Sequence, residues 1–124
     1  MKKIHWNEIS EPLITESGEI ITELIGRAGV DGEIFNHSLA RIVIPPGKSS
    51  SAHYHKHSQE TYYILQGEGL MDIDGEIHVL KPGTACHILP GENHRIENKG
   101  GVNLEFLAIC APAWVPEDSF EVGT

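Results

Sequence analysis

Short apolar runs alternate with turn residues along most of this chain. Six runs have strand character, and they cover residues 38–44, 61–66, 70–74, 76–80, 84–89 and 103–110. Glycine and proline interrupt the apolar pattern between them, most clearly at Pro82-Gly83 and Pro90-Gly91. Short runs at regular spacing, bounded by turn residues, are typical of a β-sandwich or β-barrel. The pattern therefore predicts an all-β fold.

Three further segments refine this prediction. Residues 70–80 are expected to form a hairpin, because Asp74-Gly75 suits its turn. Residues 16–29 carry the best helical signal, but their β-branched residues also suit an N-terminal strand, which we favour. The acidic tail, residues 116–124, is expected to be partly disordered or packed on a partner.

Length and charge narrow the class of protein. The chain of 124 residues fits one domain, predicted to span residues 1–124. Its 18 acidic and 9 basic residues give a formal net charge of −9, with no basic cluster, which argues against nucleic acid and anionic membranes as partners. No apolar run approaches the roughly 20 residues of a spanning helix. The two cysteines, Cys86 and Cys110, lack CxxC spacing, and no secretory signal is evident, so we expect a cytoplasmic protein with reduced thiols.

Histidine is the unusual feature of the composition. His53, His55 and His57 occupy alternate positions, and Glu60 follows. If residues 51–66 form a strand, a tight bend and a second strand, His53 and His55 share a face, because strand side chains alternate. Glu60 on the same inner face would be followed inward by Tyr62. Two imidazoles and one carboxylate would then line one concavity, and one more neutral ligand would complete a metal site of borderline hardness.

His94 is the candidate for that further ligand. It follows the Pro90-Gly91 turn and begins a predicted strand. The rigid turn constrains the backbone of this segment. The imidazole can therefore be aimed at the face from which His53 and His55 project.

Two spaced motifs resemble the signatures of the cupin superfamily. The first, residues 47–67, consists of Gly47, His53-x-His55, Glu60 and Gly67. The second, residues 83–98, consists of Gly83, Leu89-Pro90-Gly91, His94 and Asn98. Leu89 stands where the family usually has proline, at a strand end that affects no ligand position.

The resemblance implies an antiparallel jelly-roll barrel, the double-stranded β-helix. It also implies one divalent metal ion per chain, held by His53, His55, Glu60 and His94, and leaves the ion open among iron, manganese, nickel, zinc and copper. The alternative is a metal-free cupin that uses the same barrel for packing or ligand binding.

Other residues of the barrel each have more than one candidate role. His57 and Tyr62 are the candidate catalytic residues: His57 as an acid or base if it points inward rather than to solvent, and Tyr62 as a hydrogen-bond donor if it is not only core. Cys86 and His87 lie on opposite faces of one strand, so one of them should line the barrel, and the pattern does not decide which.

The resemblance permits several functions. Among cupins it covers dioxygenases, sugar-phosphate isomerases, decarboxylases, lyases and domains that only bind sugars or effectors. Our leading hypothesis is a metal-dependent oxygenase or isomerase that acts on a small molecule, and the competing one is a non-catalytic binding or sensing module. Arg41 and Arg95 could pair with a substrate carboxylate or simply lie in solvent. We also expect a homodimer, because open sheets leave edges to cover and residues 19–25 and 109–115 are apolar.

Overall fold

Two antiparallel sheets make up the part of the chain that the structure, a computed structural model, describes: residues 1–26 and 36–123. Within these ranges the strands are β1 (Leu13–Ile14), β2 (Ile20–Ile25), β3 (Ser38–Ile44), β4 (His53–His55), β5 (Gln59–Gln66), β6 (Gly69–Ile73), β7 (Glu76–Leu80), β8 (Ala85–Ile88), β9 (His94–Glu97), β10 (Leu104–Ala111) and β11 (Ser119–Glu121). Two short 3-10 helices cover Trp6–Glu8 and Pro116–Asp118. No helix in the described ranges has the length and apolar character needed to cross a membrane.

The strand order confirms the predicted jelly roll. One sheet has the order β1-β2-β3-β10-β5-β8, and the other has the order β11-β4-β9-β6-β7. From β3 to β6, and again from β7 to β11, successive strands alternate between the sheets. This winding brings β5 and β10 of one sheet, and β4 and β9 of the other, around one interior.

The predicted strands agree closely with those observed. The runs 38–44 and 76–80 match β3 and β7, and the hairpin of β6 and β7 turns at Asp74 and Gly75, whose φ angles are 50° and 91°. Both positive φ values suit the tight turn that Asp-Gly favours. β2 lies within the strand favoured over residues 16–29, of which 27–29 fall outside the described residues.

The prediction for the acidic tail needs correction. Residues 116–123 pack on their own chain, where Pro116–Asp118 form a 3-10 helix and Ser119–Glu121 pair with β4, and Thr124 lies outside the described residues. The pairing places Ser119 opposite His55 and Glu121 opposite His53. The tail therefore covers the edge of the strand that carries two of the predicted metal ligands.

The interior changes character from one end of the barrel to the other. The side chains of Leu104 and Phe106 on β10 are fully buried among apolar neighbours. Further along the same face come the small Ala108 and then Cys110. Cys110 lies opposite Glu60 of β5. One end of the barrel is thus a packed apolar core, and the other carries smaller side chains and the polar groups of Cys110 and Glu60.

Candidate metal centre and cavity

Three strands bring the four predicted ligands together. His53 and His55 project from one face of β4, Glu60 lies near the start of β5, and His94 begins β9 directly opposite His53. One ligand atom from each residue lies within 4.8 Å of the others. This convergence matches the parity argument made from the sequence.

Backbone carbonyl groups fix the orientation of all three imidazoles. Each Nδ1 contacts one carbonyl oxygen: His53 that of Ser51 at 2.9 Å, His55 that of Asp118 at 3.1 Å, and His94 that of Glu92 at 3.0 Å. A carbonyl can only accept, so Nδ1 carries the proton and donates it. Each Nε2 therefore offers its lone pair to the interior, as in metal-binding histidines whose other nitrogen is held by an outer partner.

The atoms that face the centre have no hydrogen-bond partner among the described residues. These buried atoms are Nε2 of His55, Nε2 of His94 and Oε1 of Glu60. Both nitrogens lie 3.3 Å from that oxygen. Buried lone pairs left without a donor are costly. A divalent ion would satisfy all of them at once, and nitrogen-rich sets with one carboxylate suit iron, nickel, copper or zinc, so the residues fit a metal ion.

The electrostatics of the cluster favour a cation between these groups. Burial lowers the pKa of His55, but its contact with Glu60 outweighs burial and raises it above the usual value. Burial would raise the pKa of Glu60, yet the neighbouring imidazoles hold it well below its ordinary range. Burial and the nearby His94 lower the pKa of His53 to about 4. Protons and a metal ion would compete for these atoms.

Cys110 holds the carboxylate of Glu60 from the other side. Its thiol donates to Oε2 of Glu60 at 3.1 Å, which leaves Oε1 facing the imidazoles. Burial and the adjacent Glu60 raise the pKa of Cys110 well above the usual value, so the thiol keeps its proton. The structure shows that Cys110 is buried and also orients a candidate ligand.

Asp118 fixes the bend between β4 and β5, a role that sequence analysis missed. Its carboxylate accepts the backbone N–H groups of Lys56, His57 and Ser58 at 3.0, 2.9 and 2.9 Å. Burial alone would raise the pKa of Asp118, but these donors lower it. The same residue accepts the proton of His55 through its carbonyl. The tail therefore supports both the bend and one imidazole.

The two candidate catalytic residues lie in different places. His57 is exposed, and its side chain does not line the cavity beside the cluster. Tyr62 lies on the inward face of β5, only 2% exposed, with its ring 4.5 Å from that of Phe106 and 6.1 Å from that of His94. Burial and the carboxylates of Glu60 and Glu19 raise the pKa of Tyr62 well above the usual value. Its phenol therefore remains a hydrogen-bond donor.

The structure decides between Cys86 and His87. Cys86 packs against the hydrophobic core, opposite Tyr62, whereas His87 is exposed and its Nε2 lies 2.7 Å from Oε1 of Gln59. The two arginines considered at the rim face elsewhere. Arg41 contacts Glu105 at 2.6 Å and lies over the ring of Trp6. Neither Arg41 nor Arg95 lines the cavity of the cluster.

A cavity of about 800 Å³ extends from the cluster. Its volume is within the range of small-molecule sites. The small side chains of Ala40 and Ala108 line it on one sheet, and Tyr62 lies beside them. The inner face of β2 supplies a further wall through Ile21 and Glu23. Because this wall belongs to a segment without a recognised motif, sequence analysis did not identify it.

Glu19, immediately before β2, also lines this cavity. It is 7% exposed, and no described residue hydrogen-bonds or ion-pairs with its carboxyl group. Burial, assisted by the negative charge of Glu60, raises the pKa of Glu19 to about 7. Glu19, Ile21 and Glu23 stand at alternate positions, which puts their side chains on one face of a strand. Because the sequence suited a helix as well as a strand, it did not decide where the Glu19 side chain points.

Comparison with known proteins gives a consistent family match. The family model described as "Cupin domain" matches residues 40–110. Uncharacterized protein MJ1618 of Methanocaldococcus jannaschii is 39% identical over 109 residues, which are 88% of this chain and 86% of that protein. The oxalate-binding protein of Thermotoga maritima is 46% identical over 70 residues, 56% of this chain and 58% of that protein.

A solved structure agrees with this match. The crystal structure of a predicted oxalate decarboxylase from Thermotoga maritima superposes with a TM-score of 0.75 at 32% identity. The superposition covers 90% of this chain and 99% of that one. The family match contains all four residues of the cluster, whereas Glu19 lies before it.

Proposed function

This chain belongs to the cupin domain family, and from that premise we propose that it holds one divalent metal ion and uses it to bind a small molecule. The proposed ligands are His53, His55, Glu60 and His94. The observation that carries the proposal is the set of three imidazoles whose Nδ1 atoms are anchored outward, so that each Nε2 faces the carboxylate. In buried histidines that hold no ligand, Nε2 usually has a hydrogen-bond partner within the protein.

If an ion held by these four residues took further ligands, a small molecule could bind it directly. When bound, the ion would supply Lewis acidity or, if it is iron, support oxidation by dioxygen. The residues of the chain would provide the rest. Tyr62 lies beside the cluster and can donate its phenolic proton to a ligand oxygen. The apolar walls of the cavity would exclude water from that contact.

We propose an enzyme of the oxygenase or isomerase type as the leading function. A binding module without turnover is the second candidate, and the relative named oxalate-binding protein favours it. The two are separated by loading the protein with iron without oxygen and then measuring oxygen consumption with catechols, thiols, diketones and sugar acids. A parallel assay would follow isomerisation of aldoses and ketoses. Tight binding without turnover in either assay would support the second candidate.

Metal analysis tests the proposal itself. We expect about one divalent ion per chain in the purified protein and almost none in the double variant His53→Ala/His55→Ala. A matched control is His78→Ala/His87→Ala, since both of these histidines are exposed and lie outside the cluster. Equal metal in the wild type and the cluster variant would refute the proposed ligand set. Nickel, copper and zinc can displace weaker ions at such sites, so the ion found can reflect the growth medium.

A homodimer and a cytoplasmic location remain predictions. β1 is an edge strand, and its Leu13 and Ile14 are 49% and 66% exposed. Covering such an edge with a second copy would bury this apolar surface. Light scattering at micromolar concentration should give about twice the chain mass of 13.7 kDa, and a mass near 13.7 kDa would contradict the dimer. Both cysteines are free, as expected in a reducing compartment.

A further inference from the structure

A buried carboxyl group lies in the cavity outside the metal cluster. Glu19 is more than nine-tenths buried, lines the cavity, and has no hydrogen-bond or ion-pair partner for its carboxyl among residues 1–26 and 36–123. Its backbone is used differently, since its N–H donates to Oγ1 of Thr15. Its oxygens are not among the fully enclosed atoms that lack a partner, so they face the cavity rather than the packed interior. The position of this carboxyl is therefore better explained by a ligand than by stability.

The charges around the cavity point to the kind of ligand. Glu23 lies four residues further on the same wall, and the exposed Glu11 and Glu121 also line the cavity. Its lysines, Lys2 and Lys3, are exposed in the N-terminal segment, and no arginine of the described residues lines it. Beyond the cluster, the buried wall is therefore an acceptor rather than an anion receptor.

We propose that Glu19 is a specificity residue, which accepts a hydrogen bond from a hydroxyl or ammonium group of the small molecule bound at the cluster. This inference rests on the proposed function. It extends that function by naming the ligand class: a molecule with a metal-binding oxygen at one end and an N–H or O–H donor at the other. Dicarboxylates and phosphorylated molecules are disfavoured, because their second anion would meet the Glu19 carboxylate, whereas Lys2 and Lys3 lie exposed in the N-terminal segment and not on the buried wall.

The two ends of the cavity would bind different groups of the same ligand. The cluster, with an ion of charge +2 and Glu60, attracts a carboxylate or carbonyl oxygen. The Glu19 carboxyl offers only acceptors when ionised, so it pairs with N–H or O–H. An ammonium group gains a charge-assisted hydrogen bond there, whereas a carboxylate meets repulsion in a site of low dielectric.

Matched probes test this directly. The probes are three pairs of equal chain length: glycine and oxalate, β-alanine and malonate, γ-aminobutyrate and succinate. Each pair shares one carboxylate and differs at the far end, ammonium or carboxylate. Binding to the metal-loaded protein is measured by calorimetry well above neutral pH, where Glu19 is ionised. The variants are Glu19→Gln, which keeps the shape of the side chain, and Glu23→Gln, a matched removal of one charge from the same wall.

We expect the wild type to bind the ammonium member of at least one pair about tenfold or more tightly than its dicarboxylate. Glu19→Gln should abolish this preference, and Glu23→Gln should retain it. Both variants should hold as much metal as the wild type, because neither residue belongs to the cluster. Preference of the wild type for the dicarboxylates, failure to bind any ammonium probe, or equal effects of the two variants would overturn the proposal. Absence of metal from the wild type would instead refute the proposed function.

Discussion

Two walls of the same cavity differ in how they hold their polar groups. On the histidine wall, formed by β4 and the start of β5 with His94 of β9 next to His53, each imidazole donates to a backbone carbonyl and Glu60 accepts from Cys110. The second wall is formed by Glu19 and β2. There the carboxyl of Glu19 has no hydrogen-bond or ion-pair partner in the described part of the chain. The first is preorganised for a ligand of fixed geometry. The second wall offers the Glu19 carboxyl as a hydrogen-bond acceptor for a ligand that enters the cavity.

The two walls should respond differently to substitution. Substitutions that loosen the anchors of the histidine wall should change metal affinity and stability together. Substitutions that touch the space between the walls should change ligand binding alone. Substitutions outside both walls should change neither.

Among variants that keep all four proposed ligands, the largest effect is expected from Asp118→Ala. The substitution leaves the N–H groups of Lys56, His57 and Ser58 without their acceptor, and a hydrogen bond to a charged group contributes about 1.5–3 kcal/mol. Since the three bonds are not additive, we expect a loss of about 3 kcal/mol in the free energy of unfolding. Freed from this bend, His55 should hold metal about tenfold less tightly. Denaturant titration and competition with a chromophoric chelator measure the two effects.

Glu117→Ala is the matched control for this prediction. Glu117 is exposed and lies in the same 3-10 helix, and the structure gives its carboxylate no contact with the bend. Stability and metal affinity should therefore stay close to those of the wild type. If Asp118→Ala behaved like this control, the tail would not anchor the histidine wall.

The difference between the walls also explains what the sequence could predict. Alternation within one short strand placed His53 and His55 on one face. Glu60 and His94 lie on other strands, and the resemblance of the two motifs to the cupin signatures added them to the ligand set. The unpartnered wall depends on how β2 pairs with β3 across a long separation, and no local signal sets that register.

Long-range contacts account for the other shortfalls. Asp118 reaches residues about sixty positions earlier, and nothing in the acidic tail distinguishes this carboxylate from its neighbours. The side chains of Cys86 and His87 point to opposite faces of any strand. Only the packing of β8 against the hydrophobic core shows that Cys86 is the inner one. Periodicity therefore predicted the strands, and periodicity together with the two cupin-like motifs predicted the cluster, whereas the residues that support the cluster are set by tertiary packing.

A smaller effect is expected from Tyr62→Phe, which alters the space between the walls. The ring remains packed on Phe106, but its hydroxyl is lost. A neutral hydrogen bond contributes about 1 kcal/mol, so affinity for a bound small molecule should fall about fivefold. Metal stoichiometry should not change. Calorimetry with the probes named above, beside elemental analysis, measures both; loss of metal would show that Tyr62 supports the cluster itself.

The smallest effect is expected from His57→Ala, which lies outside both walls. Its imidazole is exposed and does not line the cavity, and its structural contribution is a backbone N–H that alanine retains. Metal content, ligand affinity and stability should therefore match the wild type, with a change in unfolding free energy within about 0.5 kcal/mol. This variant distinguishes two possibilities. Either His53, His55 and His57 all hold the metal, or the bend at residues 56–58 turns His57 away so that only His53 and His55 do. If metal were lost with His57, the bend would have to bring a third imidazole of the row to the cluster. The carboxylate of Asp118, which holds residues 56–58 in place, would then be fixing a ligand rather than a turn.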